Sequence, residues 1–203
     1  VSYERGKDGI CRAALVTDLL VQGGRPLRRA RFPQKGYLRV AKTCAEDAFQ
    51  SFYFQKGDIP EGLDTDGLSI TVWPSGAGGR ENWHTMTVPV GRIDYASCRL
   101  YLDRPSPLLE LGAGTRYFLE NSPVFLQGEG TFCSHGGQTL FLPRRAGEVR
   151  AAGCKNLIRV CGGEGKPVRN FSFEGLDLRF ACGEEFVAGE FGQYRAAVYF
   201  SDT

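Results

Sequence analysis

The chain has 203 residues, with 25 basic and 23 acidic side chains and a formal net charge of +2, enough length for one large or two small domains with a real core. Charges of both signs are interspersed, so no single-sign field calls for nucleic acid or an anionic membrane. The 27 glycines and short aromatic-rich runs argue for turns and strands rather than a helical protein.

Taken in order, Val1–Gly9 is polar and reads as a connector. Cys11–Val21 is apolar on more than one face, and its short length before Gly23-Gly24 predicts a strand. Arg25–Arg31 is the one basic cluster. It reads as a solvated strand edge guarding against strand addition, with a phosphate or sugar-acid contact as the alternative. Gly36–Val40 alternates as a strand does. Thr43 with Glu46 three residues on has the pattern of a capping box, so a helical turn or two is expected over Thr43–Gln50. Gly57–Gly67 is turn chemistry throughout. Leu68–Trp73 is the clearest strand, with Leu68, Ile70 and Val72 on one face. Further strands are expected at Trp83–Val90, Arg99–Asp103, Arg116–Leu119 and Leu140–Leu142, with a loop over Pro105–Gly114. This spacing predicts a β-sandwich or barrel.

From Cys154 the rhythm changes to runs at Leu157–Val160, Val168–Phe180 and Arg195–Phe200. Within Lys166–Cys182, Val168, Phe171 and Phe173 form one period-2 run and Leu176, Leu178 and Phe180 another, meeting at Glu174-Gly175. The bend is too abrupt for a plain hairpin. It suits a coil whose strands stack on the next coil, as in a parallel β-helix. The boundary falls near residue 150. Residues 13–150 are expected to form a β-sandwich or barrel-like domain and 151–203 the solenoid part, to which 1–12 are candidate additions.

Seven cysteines stand at 11, 44, 98, 133, 154, 161 and 182, an odd count without CxxC spacing or a Cys–His zinc grouping. They read as reduced thiols, one incidental pair aside, which fits a cytoplasmic protein. The longest apolar stretch is far short of a membrane span, and no signal peptide precedes the fold. A start at Val1 and a stop just after an apolar strand read as a piece of something longer.

Several motifs occur in a telling order: Asn121-Ser122-Pro123-Val124-Phe125-Leu126, Leu140-Phe141-Leu142-Pro143-Arg144, Leu157-Ile158-Arg159-Val160, then PVRNFSFEGLDLRFA from Pro167. Together they resemble right-handed parallel β-helix carbohydrate-active proteins, in particular bacterial glycoside hydrolases of the β-xylosidase and fucosidase/xylanase type. In that family a β-rich domain is inserted into the early coils. Arg31-Phe32-Pro33 with Gly36-Tyr37-Leu38 resembles the start of the insertion, and Arg116–Asn121 the segment leading out of its first part. The resemblance implies an extracellular or periplasmic parent that degrades polysaccharide, with catalytic acids on later coils beyond this chain. Gln193–Val198 resembles the first coil facing the family's cleft, so the resemblance places Glu174 and Gln193 along a substrate groove. One departure is that Gly130–Cys133 replaces a Trp-containing turn usual in the family.

Glycoside hydrolysis uses two carboxylic acids, about 5 Å apart for retention and about 6.5–9.5 Å for inversion. The C-terminal part offers Glu174, Asp177, Glu184, Glu185 and Glu190, none of which is assigned as the catalytic pair. Trp73, Trp83, Tyr101 and Tyr117 are either sugar-stacking platforms or core aromatics. Trp73, at a strand end, and Trp83, in a Gly-rich polar neighbourhood, are the better exposed candidates. His84 and His135 have no motif partner and read as loop histidines. Gly76–Gly79 and Gly162–Gly165 read as turns rather than phosphate loops. A basic patch interleaved with aromatics on a sheet, as for RNA, is not evident. The expected partners are an oligo- or polysaccharide and the remainder of the parent chain, with no cofactor, metal, nucleic acid or membrane span. The competing reading is a non-catalytic carbohydrate-binding or structural insertion.

Overall fold

A computed structural model describes residues 1–181, apart from 77, 82, 155 and 164, and the backbone of 198–201. The described chain is all-β, its helical content limited to a single 3-10 turn at Pro123–Phe125. No helix among the described residues is long and apolar enough to cross a membrane. Two compact units are present. One comprises Ser2–Val16 and Leu27–Ala146, the other Val1, Thr17–Pro26 and Gly147–Thr203.

The larger unit is built on a closed barrel of six antiparallel strands. In order around the barrel they are Arg116–Glu120, Leu38–Thr43, Ser51–Phe54, Arg99–Leu102, Met86–Asp94 and Ser69–Val72, and the last pairs back onto the first. Closure resolves the choice between sandwich and barrel, and it removes the edges a sandwich would leave. Alternation dictates the lining: Met86, Val88 and Val90 point inward while Thr87 and Pro89 point out. Val40, Phe52, Phe54, Ile70, Val72, Leu100, Leu102, Tyr117 and Leu119 complete the interior. Bulges at Val40/Lys42 and Val90/Arg92 interrupt the ladders and add the local twist that closure requires.

A second sheet of the same unit shows how the barrel is connected. Arg28–Arg29 lies parallel to Thr131–Phe132, so the chain leaves this sheet, builds the barrel and returns beside its point of departure. In the smaller unit, Leu20–Gln22 pairs with Val149–Ala151 and with Arg25–Pro26. Ile158–Cys161 pairs in parallel with Val198–Ser201, residue for residue.

Three local expectations need correction. Thr43 ends the Leu38–Thr43 strand and the residues after it, to Gln50, form turns rather than a helix. The Thr43 hydroxyl accepts from Ala113 N–H. That hydroxyl is the one a capping box would turn to its own first turn, and the carbonyls of Ala48, Phe49 and Gln50 tie the turns to Leu111, Ser106 and Leu102. Cys11–Val21 is two strands, Cys11–Ala13 and Leu20–Gln22, each in a different sheet. The break is at Thr17, whose hydroxyl bonds the N–H and carbonyl of Leu19 in a local turn. Finally, no strand is assigned over Val168–Phe180. The expected bend is present, with Gly175 at φ +67°, but Val168, Phe171, Leu176 and Leu178 are exposed and the runs join no ladder.

The Arg25–Arg31 cluster is divided among Arg25–Pro26, Arg28–Arg29 and Arg31–Phe32, each an end strand of its own sheet. This agrees with the strand-edge reading. Cysteines 11, 44, 98, 133, 154 and 161 form no disulfide; Cys182 lies outside the described residues.

Candidate functional site

The side chains that alternate outward on the barrel form the most distinctive chemistry of the larger unit. On Arg116–Glu120, Tyr117 and Leu119 are buried, which turns Arg116, Phe118 and Glu120 to the outside. Trp73 follows the Ser69–Val72 strand, and its backbone N–H donates to the Arg116 carbonyl at 3.1 Å. The Arg116 guanidinium lies over the Trp73 ring at 4.5 Å and over Tyr37 at 5.0 Å. Tyr37 meets Trp73 edge-on at 5.2 Å, and Arg31 covers Phe118 at 3.7 Å. Burial lowers the Arg31 pKa.

Beside Trp73 the loops 74–81 and 112–116 enclose a groove of about 240 Å³, reached also by Arg39. Their close approach needs Gly112, because a Cβ there would collide with the Gly76 carbonyl oxygen. The N–H groups of Ser75 and Gly76 both donate to the Glu110 carbonyl, and the Ser75 hydroxyl pairs with that of Thr115. Arg39, Arg80 and Arg116 line the groove together with one carboxylate, Glu81. Glu81 accepts from Trp83 Nε1 at 3.0 Å, and Trp83 is 66% exposed.

The predicted site residues therefore separate. Trp73 and Trp83 both belong to this region, Trp73 as a half-covered wall and Trp83 as an open indole. Tyr101 stacks with Arg92 and Arg99, at 4.2 and 4.5 Å, and Tyr117 is a fully buried core residue. Glu174 is exposed in the smaller unit. Gln193, Glu184, Glu185 and Glu190 lie outside the described residues. Burial lowers the pKa of His84, and among the described residues no group of three or more His, Cys, Asp or Glu could hold a metal.

Basic and aromatic side chains do interleave on the outer face of the barrel, where no such patch was expected. The pattern runs across strands: Lys42 stacks on Tyr53, Arg99 on Tyr53 and Tyr101, Arg92 on Tyr101. The groove arginines were missed for the same reason. Arg39 and Arg116 are opposed in the ladder although 77 positions apart in the chain, and the one available signal was that both alternate outward.

The fold resembles that of a solved glycoside hydrolase. The TM-score is 0.63 at 14% identity, over 82% of this chain and 33% of the other, so this chain spans about a third of that structure's length. No family model matches the sequence, and no curated protein matches it.

Glu120 supplies a test of the outer-face electrostatics. Burial pushes its carboxyl above the usual carboxylate range, against the opposing pull of Arg29, Arg31 and the Thr71 hydroxyl. Between its ordinary and raised values the folded chain holds the proton more tightly than the unfolded chain, so stability falls as pH rises through that window. Glu120→Gln removes this loss. Its urea midpoint is expected to gain on the parent's as pH rises above the ordinary carboxylate range; a difference that stays constant with pH would refute the assignment.

Proposed function

We propose that this chain is a piece of a carbohydrate-active protein, a glycoside hydrolase acting on plant or host polysaccharide, with its catalytic carboxylates mostly outside the chain. The observation that carries the reading is the likeness of fold to a solved glycoside hydrolase over 82% of the chain. In this reading residues 13–150 are an insertion and 151–203 begin a right-handed parallel β-helix. The parallel pair Arg28–Arg29 and Thr131–Phe132, flanking the barrel, favours an insertion. The parallel register of Ile158–Cys161 on Val198–Ser201 favours stacked coils. Glu174 and Gln193 are proposed to line the substrate groove of the parent.

A second reading has a specific observation behind it: the insertion itself binds saccharide, through the exposed Trp83 indole beside a polar groove. A flat aromatic face complements the apolar face of a pyranose ring, and the indole is oriented by Glu81. Affinity electrophoresis through gels containing a panel of polysaccharides tests it. At least one polysaccharide is expected to retard the chain, Trp83→Ala to abolish the retardation without changing the thermal midpoint, and Trp83→Phe to keep part of it. Equal retardation of Trp83→Ala and the parent would refute the platform.

A further inference from the structure

We infer that the groove beside Trp73 takes an acidic saccharide unit, a uronate whose carboxylate sits among Arg39, Arg80 and Arg116. The inference rests on the saccharide-binding reading and adds the chemical class. Elsewhere on the chain several guanidinium groups are matched by carboxylates: Arg12 by Asp8, Arg99 by Glu46 and Asp47, Arg150 by Glu148. At the groove three guanidinium groups meet one carboxylate, Glu81, which accepts from Trp83. Three like charges gathered around a single carboxylate repel, and an anion in the groove relieves that repulsion.

The arginines are also held in place. Arg39 donates to the Gly114 carbonyl at 2.9 Å. Arg116 lies against both Trp73 and Tyr37, and its Nε is a buried donor without a hydrogen-bond partner among the described residues. A planar guanidinium fixed by stacking is pre-organised to bind a carboxylate through two parallel hydrogen bonds. The volume, about 240 Å³, lies just under the roughly 300 Å³ at which drug-sized pockets begin. It suits one saccharide unit rather than a buried polyanion track.

The chain has two tryptophans, Trp73 in the groove wall and Trp83 bonded to it, so intrinsic fluorescence reports on this place. The full chain is titrated with an oligogalacturonate, a neutral oligogalactoside of equal length, a sulfated oligogalactoside and an oligonucleotide, at low and raised salt. The oligogalacturonate is expected to bind about tenfold or more tighter than the other three, and to weaken as salt screens the arginines. Arg80→Ala is expected to remove most of that preference at an unchanged thermal midpoint, and Arg80→Lys to retain part of it. Equal binding of the neutral sugar, with Arg80→Ala without effect, overturns the acidic class and leaves the saccharide reading standing. Binding of the sulfated sugar or the oligonucleotide as tightly as the uronate overturns it as mere charge attraction. Binding by none of the saccharides overturns the inference and the saccharide reading together.

Discussion

Asn121→Ala is expected to destabilise the larger unit by about 3–5 kcal/mol. Asn121 ends the Arg116–Glu120 barrel strand, is buried, and has φ +68°. Its amide nitrogen donates to the carbonyls of Gly67 at 2.7 Å and Ser134 at 3.1 Å, while its amide oxygen accepts from Ser134 N–H at 2.8 Å. One side chain thus ties the barrel, the turn before Leu68 and the sheet into which the chain returns. Alanine leaves buried backbone groups unpaired, each worth about 1–3 kcal/mol, and tolerates the left-handed conformation less well than asparagine, whose short polar side chain hydrogen-bonds locally. Urea unfolding of a series separates the two contributions. Asn121→Gly relieves the backbone strain and keeps the hydrogen-bond loss, so it falls between the parent and Asn121→Ala. Asn121→Asp keeps the acceptor, loses both donors and sets a charge against two carbonyls. A loss under about 1 kcal/mol for Asn121→Ala would mean that water replaces the amide and that the bracket is not structural.

The second large effect is in the barrel core. Phe52→Ala is expected to cost about 3–5 kcal/mol, the range for emptying a buried aromatic site. Phe52 is fully buried and its ring packs against Tyr117 at 4.9 Å. The closed barrel is lined on every side by residues fixed in ladders, so the cavity has little room to collapse. The neighbouring Tyr117→Phe is expected to be neutral or stabilising. The Tyr117 hydroxyl is buried without a hydrogen-bond partner among the described residues, and burial raises its pKa, so removing it abolishes an uncompensated desolvation cost. Calorimetric midpoints of the two variants check the pair: a drop for Tyr117→Phe as large as that for Phe52→Ala would show that the hydroxyl is satisfied and that the packing account is incomplete.

The proposed binding at the groove depends on both of these features. Loops 74–81 and 112–116 hang from the ends of Ser69–Val72 and Arg116–Glu120, and the register of that strand pair sets Arg116 beside Trp73. A slip of one residue would exchange Arg116 and Phe118 for Tyr117 and Leu119 on the outer face. Binding of the acidic ligand is therefore expected to be lost along with the barrel, whereas Arg80→Ala acts on binding alone.

Alternation along the chain was sufficient to place Leu68–Trp73, Arg99–Asp103 and Arg116–Leu119 on strands, because the side chain period of two is a local property of extended backbone. Turn chemistry did the same for Gly57–Gly67, and the context of Trp73 and Trp83 singled out both indoles. What the chain could not announce was pairing. Thr43–Gln50 carries a helix-start pattern whose cap hydroxyl, on Thr43, is taken instead by the distant Ala113 N–H. Val168–Phe180 has the alternation of strands and yet no ladder, since a pattern says which residues share a face but not what lies beside it. Arg39, Arg80 and Arg116 are ordinary outward arginines until barrel closure brings them around one groove. Local backbone preference is written residue by residue, whereas a site assembled from three distant segments exists only once long-range hydrogen bonds have fixed the register.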